Sequence, residues 1–437
     1  ATLSSKGYAV PAYSYLRKFG DFSMWDIYRA ELPLYSLITP KMSGEMMQSL
    51  VQMYKEGGWM PIFPCWNSYT AAMIGDHASA ALADAYVKGI RNFDAAKAYE
   101  GMRLNAFSTP YLAKDYRDGK GRRAIRSYMD NGYIPLEDMV EEAFHTNEQT
   151  SRTLEYAYDD YAVAQMAKAL HDSCQDATLR QKYLEDYNDL MRRSENWRNV
   201  INPATGWADG RYENGKWENN EDLVHRKSYI TEGATCHYTW YVPQNPEGLF
   251  EVIRNSKPMD KLEKQIEKAE RKMEKKGETP VRNEKVIARL DKMFDNGWYW
   301  HGNEPCHQIA YLYDAAGAPE KTQERVHHIL QTEYNDTPGG LSGNDDAGQM
   351  SAWYVFSSIG FYPVCPGTPY YYIGTPSFDK VTLNLENGRK FILSADGVSK
   401  DAFYIQKMSL NDKPFWGYKL SHKDILNGGK LKFQMKK

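Results

Sequence analysis

From about residue 24 to 360, apolar side chains recur with a helical period, and the segments are separated by Pro, Gly and Asn breaks. Strict alternation of apolar and polar positions is confined to the last part of the chain, so the order is helices first, strands last. The clearest helix is expected to start at Ser43 as N-cap, to carry Met46, Met47, Leu50, Val51 and Tyr54 as its apolar stripe, and to stop at Gly57 and Gly58. Others are predicted over residues 68–90, 94–107 and 151–171, the last lined by Leu154, Tyr158, Tyr161, Val163 and Ala167. Pro319 fits the first position of a helix lined by Val326, Ile329 and Leu330, while Trp353, Phe356 and Ile359 line another ending at Gly360. About ten to twelve helices are expected in all. Many antiparallel helices of this length fit a toroid of helical hairpins or a bundle array, and no fixed-period repeat points to a solenoid. The charged run 257–279, with Leu262, Ile266, Ala269 and Met273 at helical spacing, reads as a solvated amphipathic helix.

After Pro363 strands are predicted over residues 370–373, 381–385, 390–393 and 403–408, with Asn387 and Gly388 as a hairpin turn. This is a small antiparallel sheet or half of a sandwich. Its open face calls for partner strands outside the chain or for cover from another part of it.

Composition sharpens this picture in a few places. The 437 residues, 42% hydrophobic and 25% charged, are ample for a deep core and exclude a disordered or collagen-like chain. With 54 basic against 57 acidic residues there is no excess of the kind that makes nucleic acid or an anionic membrane a partner. The 33 tyrosines and 11 tryptophans offer flat apolar faces with hydrogen-bonding edges, which suit pyranose rings as well as a large core. Five cysteines without a CxxC pair signal neither a disulfide framework nor a zinc knuckle. The opening run of ten residues has no apolar core of a leader, and no stretch is long and apolar enough to span a membrane. A chain that opens with Ala1 is expected to be processed or truncated.

Three polar loops could carry chemistry. In the first, Glu232 precedes Gly233 and aromatics at helical spacing, which fits either a carboxyl held protonated in an apolar pocket or an ordinary helix-start carboxylate. In the second, His301-Gly302-Asn303-Glu304-Pro305-Cys306-His307, Asn303 and Glu304 offer hard oxygen ligands of the kind calcium takes, or simply cap a helix. The two histidines hint at zinc, but six residues apart they fall on different faces. In the third, Gly343-Asn344-Asp345-Asp346-Ala347-Gly348 places adjacent carboxylates before a helix, where Asp is also a common cap. A candidate acid, an oxygen-rich cation site and candidate bases are the parts of a glycosidase with a bound cation.

These loops belong to a longer ordered series. It comprises Met24-Trp25-Asp26-Ile27-Tyr28-Arg29, the 49–54 stretch with Gly58-Trp59-Met60-Pro61, Gly89-Ile90, and the run from Ser151 through Glu155 to Asp160. It continues through the Glu232 segment, Gly302-Asn303-Glu304-Pro305, and Gly343 to Asp346 followed by Gly348-Gln349-Met350-Ser351-Ala352-Trp353-Tyr354. Over most of its length the chain thereby resembles the catalytic region of glycoside hydrolase family 92, the calcium-dependent exo-α-mannosidases. The resemblance implies a mainly α fold: an (α/α)6 toroid barrel over residues 1–365, then antiparallel strands over 366–437 that complete a β-sandwich. It implies removal of terminal α-mannose from N-glycans or mannans with inversion, by a periplasmic, cell-surface or secreted protein. Carried over, Glu232 is the general acid and Asp346 the general base, with Asp345 as its rival. Asn303 and Glu304 hold calcium, with the Gly302 backbone and the Asp346 side chain as further candidates. Trp25, Asp26, His307 and Asn344 hold the terminal sugar, Asn344 standing where some relatives carry an acidic residue. The run 257–279 resembles an insertion near the active-site rim. The family's N-terminal β-sandwich is expected to be missing from these residues and to be supplied by a separate segment or chain. A carbohydrate-binding or inactive fragment is the alternative reading.

Overall fold

The structure, a computed structural model, describes residues 18–140 and 145–437. The opening run read above for a leader lies outside them. Helices occupy the described chain from Met24 to Ile359, and strands dominate from Phe361 to Lys436. Among the described residues sixteen α-helices precede Phe361, more than expected, because several are single turns of four or five residues that periodicity cannot register, and one short antiparallel pair, Ile201–Asn202 with Trp207–Ala208, lies among them.

Two helix starts differ from the sequence-based expectation. The first long helix spans Pro40–Gly57, not from Ser43, because Pro40 takes the first position, where its missing N–H and fixed φ suit a helix start. Ser43 lies inside it, buried, with its hydroxyl 3.1 Å from that of Ser36. Of residues 68–90 only His77–Val87 are helical; Trp66, Asn67, Thr70 and Ala71 before them have positive φ, which a right-handed helix cannot hold. The Lys261–Glu274 helix is solvated on most sides, as its charge run predicts, but is anchored by one buried residue. Glu263 accepts from Arg289 Nε and Nη2, each at 3.2 Å, and from Lys292 Nζ at 3.0 Å.

The Gln149–Ser173 helix packs against both Ala177–Arg193 and His77–Val87. Eighteen of its 25 residues are buried, on every side, so its polar residues must find protein partners. Glu155 accepts from Trp25 Nε1 and Tyr238 Oη, both at 2.9 Å, and lies 3.1 Å from His77 Nε2. His77 Nδ1 meets Asp159 at 2.8 Å. Arg122 joins Asp76 at 2.9 Å to Asp160 at 2.6 Å, and Arg193 closes the series on Asp160 at 2.9 Å.

This network sets a pH dependence of stability. Burial pulls the His77 imidazole down, but the Asp159 charge and the hydrogen bonds to Asp159 and Glu155 outweigh it and hold the group up at about 9. A raised histidine stabilises the fold fully below its unfolded value near 6.5, and that contribution is lost as pH rises towards 9. The expected loss is on the order of 3 kcal/mol. Urea unfolding of the wild type should therefore weaken from pH 6.5 to 9, and His77→Gln should flatten that slope. A wild-type midpoint constant over this range would refute the assignment.

The strands at Tyr370–Ile373, Lys380–Asn384, Lys390–Asp396 and Tyr404–Leu410 lie where alternation placed them, with Gly388 at φ +81° in the predicted turn. Five strands form one sheet in the order Lys380–Asn384, Lys390–Asp396, Gly429–Lys436, Tyr404–Leu410, Lys413–Pro414. Three more, Phe361–Tyr362, Tyr370–Ile373 and Lys419–Ser421, form a second. Every pairing in these two sheets is antiparallel except Lys390–Asp396 with Gly429–Lys436, which run parallel with Leu393 opposite Leu431. Phe391, Leu393, Ala395, Leu431, Phe433 and Met435 bury one face of the larger sheet.

Candidate active site

Each predicted carboxylate sits in or beside a short turn or at a helix start, where side chains can converge on one cavity. Asp26 lies in the buried turn Met24–Ile27, and Glu304 opens the single 3-10 turn Glu304–Cys306. Glu232 precedes the Thr235–Tyr238 turn, and Asp346 precedes the Gln349–Ile359 helix. The Glu304 and Asp346 loops meet backbone to backbone. A Cβ added at Gly343 would lie 2.4 Å from the Gly302 carbonyl oxygen, so the close approach requires glycine. Glu232 and Asp346 both have left-handed backbones, at φ +48° and +46°. For residues with a Cβ such conformations cost on the order of 1 kcal/mol and persist where the surroundings impose them, often at functional sites.

Asp26, Glu304 and Asp346 each offer a carboxylate oxygen, and the three atoms lie within 4.8 Å of one another. Among the described residues no other trio of His, Cys, Asp or Glu side chains comes this close. Burial, reinforced by the charges of Glu304 and Asp346, pushes Asp26 well above the usual carboxylate range. Burial and the Asp346 charge push Glu304 up to about 8, and burial also raises Asp346. Glu304 Oε1 is buried with no protein partner. Arg29 opposes this charge: its guanidinium lies 4.9 Å from the Tyr28 ring and 5.2 Å from the Trp25 ring, and its Nη2 has no protein partner. An all-oxygen set of converging carboxylates with an orphaned oxygen fits a hard divalent cation such as calcium. Zinc does not fit, because both histidines are engaged elsewhere. His301 bridges the Tyr299 and Tyr334 hydroxyls, each at 2.7 Å, and His307 lies 3.1 Å from both the His301 carbonyl and Gln349 Nε2.

Glu232 is half-buried. Burial raises its carboxyl, against the charges of His145 and Arg226 and with those of Glu148 and Asp346. The helix-start alternative does not hold, since the following turn has Ala234 as N-cap and spans only four residues. Asn303 does cap, accepting from Glu304 N at 3.1 Å, and its Nδ2 donates to the Glu232 carbonyl at 3.2 Å. Its amide thus links the Glu232 loop to the Glu304 loop. Asp345 turns to the helix, where its Oδ1 accepts from Ser351 N and Oγ, both at 2.9 Å. Asn344 is exposed. The Trp25 indole N–H is spent on Glu155, and His307 is fully buried, its ring lowered to about 3 by burial and by Arg29. The structure therefore gathers Asp26, Glu304 and Asp346, ties Glu232 to them, and places Trp25 and His307 in the packing around them.

The model of the glycosyl hydrolase family 92 catalytic domain matches residues 5–437. The chain belongs to this family. A family GH92 α-mannosidase from Bacteroides thetaiotaomicron is 34% identical, superposes with a TM-score of 0.79, and is matched over 96% of this chain and 50% of its own. A family GH92 inverting mannosidase from the same bacterium is 32% identical with a TM-score of 0.81, over 99% of this chain and 56% of its own. A protein of Arthroderma benhamiae described as an uncharacterized secreted glycosidase is 29% identical over 94% of this chain and 51% of its own length. The chain thus spans about half the length of these relatives. Like the family 92 structures, it is mostly helical with a small, chiefly antiparallel β region. Among its described residues no helix is long and apolar enough to cross a membrane.

Sequence reasoning placed Asp26 on the sugar rather than in the acidic trio, and it assigned no role to Arg29, Glu31 or Gln349. Burial raises Glu31 to about 7, and Asp345 adds to it. For Arg29 a signal existed, since it stands three residues after Asp26 in a family 92 motif. For Gln349 no local signal existed, because its partners Ala30 and His307 are distant in sequence.

Proposed function

We propose that this chain is the catalytic region of an exo-acting α-mannosidase that releases terminal mannose from N-glycans or mannans with inversion, calcium being held at Asp26, Glu304 and Asp346. The observation that carries the reading is the convergence of these three carboxylates beside a half-buried Glu232 whose carboxyl is raised. Glu232 donates its proton to the glycosidic oxygen as the bond from the anomeric carbon breaks. A water attacks the opposite face and gives its proton to Asp346, so the product is β-mannose. Inversion needs the two carboxyls about 6.5 to 9.5 Å apart. The chemistry a calcium ion supplies in such a site is Lewis-acid contact with sugar hydroxyls. Arg29 offsets the charge of the trio, and Asp345 holds the helix that follows Asp346.

The antiparallel hairpin of Gln149–Ser173 with Ala177–Arg193 supports an (α/α)6 toroid through residue 365, with residues 366–437 as part of a β-sandwich. Since the relatives are about twice as long, we assign the leaving-group side of the pocket in part to a further β-sandwich segment or chain. The secreted relative supports a place outside the cytoplasm.

The test is mannose release from a panel of α-mannosides in calcium and then in EDTA, with NMR reading the first anomer formed. β-Mannose in calcium and none in EDTA is expected. α-Mannose as first product would refute inversion, and undiminished release in EDTA would refute the cation. Binding of mannose without release would favour a carbohydrate-binding chain.

A further inference from the structure

Gln349 is fully buried and opens the Gln349–Ile359 helix three residues after Asp346. Its side chain serves neither its own helix nor its own loop. Oε1 accepts from the backbone N–H of Ala30 at 2.9 Å and of Glu31 at 3.2 Å. These are orphan donors at the start of the Glu31–Ile38 helix, whose N-cap, Ala30, has no side-chain acceptor of its own. Gln349 therefore caps a helix some 300 residues away in sequence, directly after the turn that carries Asp26. Its other end, Nε2, lies 3.1 Å from His307 Nδ1, three residues after Glu304. His307 Nε2 faces the His301 carbonyl, which can only accept, so Nε2 holds the proton and Nδ1 accepts from the amide. One turn along the same helix, Trp353 Nε1 donates to the His307 carbonyl at 2.9 Å. Helix spacing of four residues thus grips His307 at ring and backbone.

Each end of this one amide reaches a segment that carries a member of the acidic trio, and its own segment carries the third. We propose that Gln349 is a positioning residue that sets the spacing of Asp26, Glu304 and Asp346 and thereby the affinity of the site for calcium. Like charges this close repel, so the segments need a brace that does not itself add charge. A neutral amide, donor at one end and acceptor at the other, supplies that. The inference rests on the functional reading above, and the test separates the two.

Gln349→Met keeps length and volume but removes every side-chain hydrogen bond of the amide, those to Ala30, Glu31 and His307 among them. Calcium chloride is titrated calorimetrically into metal-free wild type and variant, with circular dichroism and metal-free Tm confirming the fold. The variant should bind calcium about 10- to 100-fold more weakly, the range typical for groups that orient ligands, and saturating calcium should restore most of kcat. A purely structural role would lower the metal-free Tm without changing the calcium Kd of the folded protein. Gln349→Asn, one methylene too short to reach both partners, is measured in the same way and should shift the Kd in the same direction even if the methionine variant does not fold. A folded variant with wild-type calcium affinity would overturn the bracing role alone. A wild-type chain that binds no calcium would overturn the functional reading and this inference with it.

Discussion

Glu232→Gln is expected to lower kcat/KM for mannosides with poor leaving groups, such as a second sugar, by about 10²- to 10⁴-fold, the usual contribution of a positioned acid. Aryl mannosides whose phenol leaves without protonation should lose far less. The substitution is a clean one, because glutamine has the same shape and no greater penalty than glutamate at φ +48°. What changes is the proton. Burial raises the Glu232 carboxyl, with Glu148 and Asp346 adding to it against His145 and Arg226, which favours the protonated form that an acid needs. Steady-state kinetics on a mannobioside and a nitrophenyl mannoside decide the matter: equal losses on the two would remove Glu232 from the acid's role.

The long amphipathic helices and the alternating strands were legible because each buries one face, as the Pro40–Gly57 helix and the Lys390–Asp396 strand do. The Gln149–Ser173 helix was legible in position but not in content. It is buried on all sides, and its meaning lies in pairings such as Glu155 with Trp25, 130 residues apart. Periodicity reports a face, not a partner. The candidate site shows the same division. Glu304 and Asp346 stand out locally because glycines flank them, and Gly302 and Gly343 do meet. Asp26 sits in an apolar run, Met24-Trp25-Asp26-Ile27, and nothing local tells a sugar ligand from a member of an acidic trio. For Asn303 the sequence leaves cap and ligand open, and the structure shows the cap. Gln349 was invisible for a related reason: its value comes from Ala30 and His307, which only the fold brings to it.

Asp346→Asn should abolish turnover of both substrate types, with a loss of about 10²- to 10⁴-fold for the base alone. Activating the leaving group cannot compensate, since the attacking water still lacks a proton acceptor. Asparagine adopts positive φ as readily as aspartate, so the φ +46° backbone adds no penalty and the loss cannot be assigned to strain. The neighbour provides the control. Asp345 spends its Oδ1 on Ser351 N and Oγ, and asparagine retains that acceptor, so Asp345→Asn should keep activity within a few-fold. Calcium separates the two duties proposed for Asp346. If it only held the ion, saturating calcium would rescue Asp346→Asn, as it should rescue Gln349→Met. If it is also the base, calcium should rebind at higher concentration while turnover stays absent. Rescue of Asp346→Asn by calcium, or inactivation of Asp345→Asn with its fold intact, would move the base away from Asp346.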